Sequence, residues 1–118
     1  MTTQEVANRF YELSETGQFD LIYQELFSPD ARSIEPAGGG FPEANNLAEI
    51  IQNGKDWAEQ IEAMHGGYTG VPVVAGNYFT CAMGMDVTMK GQARMQLDEI
   101  AVYHVRDGKI VSQQFFYE

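Results

Sequence analysis

The chain is poor in cysteine and in basic residues, and it has no long apolar run. A single cysteine, Cys81, excludes a disulfide within the chain and fits a reducing compartment. Seven Lys and Arg stand against 17 Asp and Glu, a formal net charge of −10. An acidic surface repels phosphate backbones and anionic lipid, so neither nucleic acid nor a membrane surface is an expected partner. No apolar stretch approaches the roughly 18 residues of a membrane-spanning helix. Met1 leads straight into Thr2, Thr3, Gln4 and Glu5, without the basic and apolar regions of a secretory signal, and the expected location is the cytoplasm. Two histidines and one cysteine lack ligand-like spacing, so no metal is expected. The Gly38-Gly39-Gly40 run lacks the Lys-Ser/Thr of a phosphate loop, and no cofactor is expected.

What is present suits one domain spanning 1–118. Hydrophobic residues make up 44% and aromatics 12% of 118 residues, enough for a substantial core. Thr2 and Glu5 form a capping box, and Val6, Phe10 and Leu13 follow at helical spacing until Gly17. Phe19, Ile22, Tyr23 and Leu26 mark a second helix, stopped by Pro29 and Asp30. Residues 31–35 read as a brief strand, because Pro36 pushes Glu35 toward extended geometry. A third, longer helix is capped by Asn45 or Asn46. It carries an apolar stripe of Leu47, Ile50, Ile51, Gly54, Ala58 and Ile61 to about Met64, with Trp57 on its flank. Strands are expected over 68–75, 78–90, 94–105 and 109–117, the last pair joined by the hairpin signal Asp107-Gly108. The element order predicts an α+β fold. A curved antiparallel sheet forms an open cone around a long helix, with two further helices at the N-terminus.

Strand alternation assigns the faces. Over 94–105, Met95, Leu97, Glu99, Ala101, Tyr103 and Val105 share one side, apolar except for Glu99, and are assigned inward. Met83, Met85, Val87 and Met89 are assigned inward on the preceding strand, where adaptable methionines suit an irregular core or a tolerant pocket. Val111, Gln113, Phe115 and Tyr117 are the inward set of the last strand. Cys81 is placed outward with no base beside it, which argues against a nucleophile. Ile100 and Val102 make the outer face partly apolar, which motivates a homodimer through that surface.

Two stretches carry a family resemblance. Asp98 to Tyr117, DEIAVYHVRDGKIVSQQFFY, has a penultimate strand, Asp-Gly-Lys-Ile and an aromatic-rich last strand; Leu26 to Pro36, LFSPDARSIEP, has a short strand ending in an acid before proline. With these in order, the whole chain resembles the NTF2-like (cystatin-like cone) superfamily, in its SnoaL-like and ketosteroid-isomerase-like group. The resemblance implies that Glu35 stands where ketosteroid isomerases keep a proton-shuttling Asp. Phe10 and Ala101 occupy the positions of that group's oxyanion-hole Tyr and Asp, and neither donates a hydrogen bond. Phe115 stands where SnoaL-type cyclases keep an Asp on the last strand.

The candidate catalytic residues are therefore Glu35, Glu99 and His65. A carboxylate lined by Met, Phe and Leu loses hydration, so its pKa rises toward neutrality, and a second carboxylate nearby raises one of the pair further. The blander assignment puts Glu35 on a loop hydrogen bond and Glu99 at a solvated rim. His65, expected where the third helix gives way to strand, would relay a proton or simply stabilise the helix dipole. Gly38 to Gly40 would form a lid beside Glu35 or a plain linker. The expected pocket walls are Phe10, Trp57, Met83, Met85, Leu97, Ala101, Tyr103, Gln113, Phe115 and Tyr117. The expected ligand is a small apolar organic molecule. The activity would be cofactor-independent isomerisation, cyclisation or dehydration of a small carbonyl or polyketide-like compound. Two alternatives remain, a non-catalytic binding protein for a hydrophobic ligand and a dimerisation module with a filled cavity.

Overall fold

A computed structural model describes residues 1–118. The elements run α1 (Thr3–Glu15), α2 (Phe19–Leu26), β1 (Phe27–Ile34), α3 (Leu47–Ala58), β2 (Ile61–Thr69), β3 (Val73–Ala75), β4 (Tyr78–Met89), β5 (Arg94–Arg106) and β6 (Lys109–Phe116). The six strands make one sheet in the order β1-β6-β5-β4-β2, with β3 paired on β4. The two ends of the sheet do not pair, so the cone stays open. Register shifts in three ladders bend it.

The N-terminal capping box forms as expected. Glu5 N donates to Thr2 Oγ1 at 3.1 Å, and Thr2 N donates to Glu5 Oε1 at 2.9 Å. Gly17 then turns the chain with φ +70°, a left-handed conformation that costs glycine little. Val6, Ala7, Phe10 and Leu13 are the buried face of α1. This helix lies against β2, β3, β4 and β5, whereas α3 packs on β1. Phe10 packs against both Phe79 and Tyr103, with ring centroids at 5.4 and 4.7 Å, and Tyr103 stacks on Phe79 at 4.8 Å. Helix α1 and the inward faces of β4 and β5 therefore share one aromatic core.

Several boundaries differ from the expected ones, each because strand pairing overrides a local signal. Helix α2 ends at Leu26 and the chain is extended from Phe27, so Pro29 and Asp30 lie inside β1. An edge strand tolerates a proline, and the β1–β6 register shifts between Phe27 and Arg32, around Pro29. β1 pairs with β6 in parallel, so the sheet is mixed and not wholly antiparallel. Helix α3 stops at Ala58, not Met64, because Ile61 pairs with Met89 and Lys90 N donates to Gln60 O at 2.8 Å. Gly54 faces open space, so it marks no close approach. The expected 68–75 strand is two strands, broken at Gly70, Val71 and Pro72.

The inward assignment on β5 holds for Ala101, Tyr103 and Val105, all buried. Leu97, nearer the open end, is 37% exposed. Cys81 is buried and faces inward, which corrects its outward placement. It shares the parity of Phe79 and Met83, and burial pushes its thiol up to about 11. On β6 a bulge at Val111 shifts the alternation, so Ile110 takes the buried position opposite Val105. Gln113 and Phe115 keep theirs, opposite Tyr103 and Ala101.

Candidate active site

The parallel pairing of β1 and β6 brings their C-terminal ends to one edge of the cone, with Ile34 opposite Gln114. Glu35 follows β1 directly and Tyr117 follows β6 directly. The Tyr117 hydroxyl donates to Glu35 Oε2 at 3.0 Å and lies 3.3 Å from Gly39 O. Beneath them, the buried Gln113 side chain donates to Ser33 Oγ at 3.1 Å. Ser33 and Ala44 exchange both backbone hydrogen bonds, at 3.0 and 3.1 Å, and so tie off the loop between them. Inside that loop, Glu35 N donates to Glu43 Oε2 at 3.2 Å.

Glu99 reaches the same region from β5. Ile100 pairs with Phe116 and Ala101 with Phe115, so one more step along the ladder sets Glu99 beside Tyr117. Its other neighbour in register is Met83, whose Sδ lies 3.8 Å from the Tyr103 hydroxyl. Burial pushes Glu99 up to about 7, and the charge of Glu35 adds to this. Glu35 is also raised, first by burial and then by the charge of Glu43, against the lowering hydrogen bond from Tyr117. Tyr117 is pushed up to about 12 by burial and by both carboxylates. No Lys, Arg or His contributes to the shift of either carboxylate. Near neutral pH one carboxyl can thus be protonated while the other is ionised, the condition for acid and base to work side by side.

A hollow of about 380 Å³ is lined by residues 35–41 and Glu43. A second, polar hollow of about 850 Å³ lies between residues 1–4, the β3–β4 turn and the β5–β6 hairpin, and shares no residue with the first. Neither includes Glu99 or the methionines of β4. Phe10, Ala101 and Tyr103, expected as pocket walls, belong to the buried core. Met83 and Phe115 pack against that core, Met85 and Trp57 are partly buried, and Gln113 is buried under the site.

His65 does not join the carboxylates. It lies within β2, exposed, with Nε2 2.9 Å from Thr88 Oγ1, and its charge acts on Asp86. Thr88 and Asp86 occupy the outer parity of β4. Ending α3 at Ala58 moved this residue from a helix end into a strand, and register then fixed its face. His104 is also on the outer face, stacked on Tyr78 at 4.5 Å. Glu43 is the participant that the sequence does not signal, being only an acid after Pro42. Tyr117, expected as a pocket wall, has the further role of hydrogen-bonding Glu35, because a Tyr just past the last strand of a parallel pair is placed to reach the residue after its partner. No group of three or more His, Cys, Asp and Glu side chains is arranged to hold a metal ion. No helix is long and apolar enough to cross a membrane.

Comparison with known proteins agrees with this architecture. A candidate SnoaL-like polyketide cyclase from Mesorhizobium loti shares 31% identity, with 99% of this chain and 100% of that one covered, at a TM-score of 0.92. An NTF2-like protein from Burkholderia thailandensis superposes at a TM-score of 0.83 with 17% identity, covering 100% and 92%. TerC, co-crystallized with polyporic acid, superposes at 0.77 with 17% identity, covering 98% and 91%. These last two likenesses concern the fold alone. No curated protein matches the sequence. The sequence matches the SnoaL-like domain over residues 1–117, and the chain belongs to that family.

Proposed function

We propose that this SnoaL-like protein is a cofactor-independent acid–base enzyme acting on a small apolar carbonyl or polyketide-like compound. The supporting observation is the convergence of Glu35 and Glu99 without a neutralising cation, one of them pushed up to about 7. Ionised Glu35 takes the proton from the carbon next to the carbonyl. The C–H electron pair moves into the new C=C bond, and the carbonyl π pair moves to oxygen. Neutral Glu99 donates a hydrogen bond to that developing oxyanion. Return of the proton at another carbon completes an isomerisation. Attack of the enolate on a second carbonyl of the same molecule gives cyclisation, the new alkoxide taking the proton back from Glu35, and departure of a β-hydroxyl with that proton, as water, gives dehydration. The Mesorhizobium loti relative favours cyclisation among these. That relative is also described as a carbohydrate phosphatase. A phosphate monoester would meet carboxylates and no cationic side chain here, an arrangement that repels it.

The test is deuterium incorporation at the carbon next to the carbonyl, read by NMR over a panel of small polyketide-like ketones in deuterated buffer. Glu35→Gln is expected to slow incorporation by about 10²-fold or more. Incorporation as fast as in the wild type would contradict the assignment. A non-catalytic binding protein is the second reading, favoured by Phe10 and Ala101, which donate no hydrogen bond. It predicts a ligand-induced thermal shift without incorporation. We also propose a homodimer through the outer sheet face, where Ile100 and Phe116 are a cross-strand pair, 46% and 50% exposed.

A further inference from the structure

We propose that Tyr117 is a positioning residue that couples the 36–42 loop to the proton on Glu35. The inference rests on reading Glu35 as the proton-carrying group, and it starts from a count of protons. The Tyr117 oxygen is 3.0 Å from Glu35 Oε2 and 3.3 Å from Gly39 O, yet a phenol has one hydrogen to give. When Glu35 is ionised, its charged oxygen is the stronger acceptor and takes that hydrogen. Gly39 O is then left without a donor from the protein. When Glu35 carries a proton, it donates to the Tyr117 oxygen, and Tyr117 turns its own hydrogen to Gly39 O. Carboxyl, phenol and carbonyl form one chain with every donor used, and the loop is clamped.

The loop is built to respond. Its ends are fixed by the Ser33–Ala44 bridge. Between them Gly38 and Gly40 take positive φ, 75° and 80°, on either side of the contact residue. Gly39 is required for another reason. A Cβ there would stand 2.6 Å from the Tyr117 hydroxyl and 3.0 Å from Pro36 O, so only glycine lets the hydroxyl reach the carbonyl. The charged and titratable groups acting on Glu35 are Glu43 from the loop and Tyr117 beyond β6, while Glu99 from β5 is coupled to both Glu35 and Tyr117. No charged side chain of α3, packed on β1, acts on Glu35. The charge of Glu43 favours a proton on Glu35 and hence the clamped loop, while the Tyr117 hydrogen bond favours the ionised form and the released loop. In the proposed reaction, proton abstraction would close the loop over the enolate, and returning the proton would loosen it.

The test needs no substrate. In protein labelled with ¹³C at Glu Cδ and Gly C′, the Glu35 carboxyl and the Gly39 carbonyl are followed by NMR through the acid-to-neutral range. The expected result is that Gly39 shifts with the midpoint of Glu35. In Tyr117→Phe, Glu35 still titrates, with a raised midpoint, while Gly39 stays flat and the loop amides lose exchange protection. Gly39→Ala should break the co-titration with the hydroxyl still present. A Gly39 carbonyl that ignores the Glu35 titration in the wild type, or follows it equally in Tyr117→Phe, overturns the proposal. Failure of the catalytic reading would show instead as deuterium incorporation insensitive to Glu35→Gln.

Discussion

Replacing Glu99 by Gln should stabilise the protein at alkaline pH and change it little at acid pH. The ordinary carboxyl value is 4.5, and Glu99 is pushed up to about 7 in the fold. Between these values the native protein keeps a proton that the unfolded chain has released. Native stability therefore falls as pH rises through this window. Below about pH 4.5 both states are protonated and the contribution is fully present. Above about pH 7 the fold must hold a partly buried charge facing Glu35, and the contribution is gone. Full shielding would make the difference about 3 kcal/mol. Glu99 is only partly buried, and solvent screening reduces the expected gain of Glu99→Gln to about 1–2 kcal/mol. For a chain of this length that raises Tm by about 3–8 °C. Differential scanning calorimetry of both proteins across this range reads the effect directly. The wild-type Tm should decline through neutral pH more steeply than that of the variant, with Glu35 supplying the slope that remains. Parallel Tm–pH curves for the two proteins would mean that the fold does not raise the Glu99 carboxyl.

Cys81 should resist thiol reagents at neutral pH in the folded protein, because burial holds it protonated at about 11. Its modification should track unfolding, and stoichiometric labelling at the rate of a free thiol would contradict the inward placement. Phe10→Ala should cost about 3–5 kcal/mol in urea unfolding, since its buried ring packs against both Phe79 and Tyr103; a loss under about 1 kcal/mol would mean that Phe10 borders open space. Sedimentation at micromolar concentration should give a dimer that Ile100→Glu dissociates, and a wild-type monomer would end the dimer proposal.

The α+β architecture and most element positions were legible because local signals and strand alternation agreed. The Thr2–Glu5 box, the Asn46 cap and the Asp107-Gly108 hairpin all act within a few residues, and each is present. What failed depended on partners distant in sequence. Ile61 continues the helical stripe of α3, and only pairing with Met89 makes it strand. Val111 breaks the alternation of β6 through a bulge that no local residue announces. The site divides in the same way. The acid-proline pair points to Glu35, and parity among apolar neighbours points to Glu99. Nothing local points to the Tyr117–Glu35–Gly39 contact, because it depends on a parallel pairing of two strands about 80 residues apart, which alternation cannot reveal.

The proposed chemistry requires that Glu35 and Glu99 act on one another in a partly dry site. ¹³Cδ titration of all glutamates, with Glu35→Gln and Glu99→Gln variants for assignment, measures this most directly. Glu99 is expected to titrate near 7, and Glu35→Gln to lower its midpoint. A Glu99 that titrates near 4.5, unmoved by the loss of Glu35, would contradict the proposed chemistry.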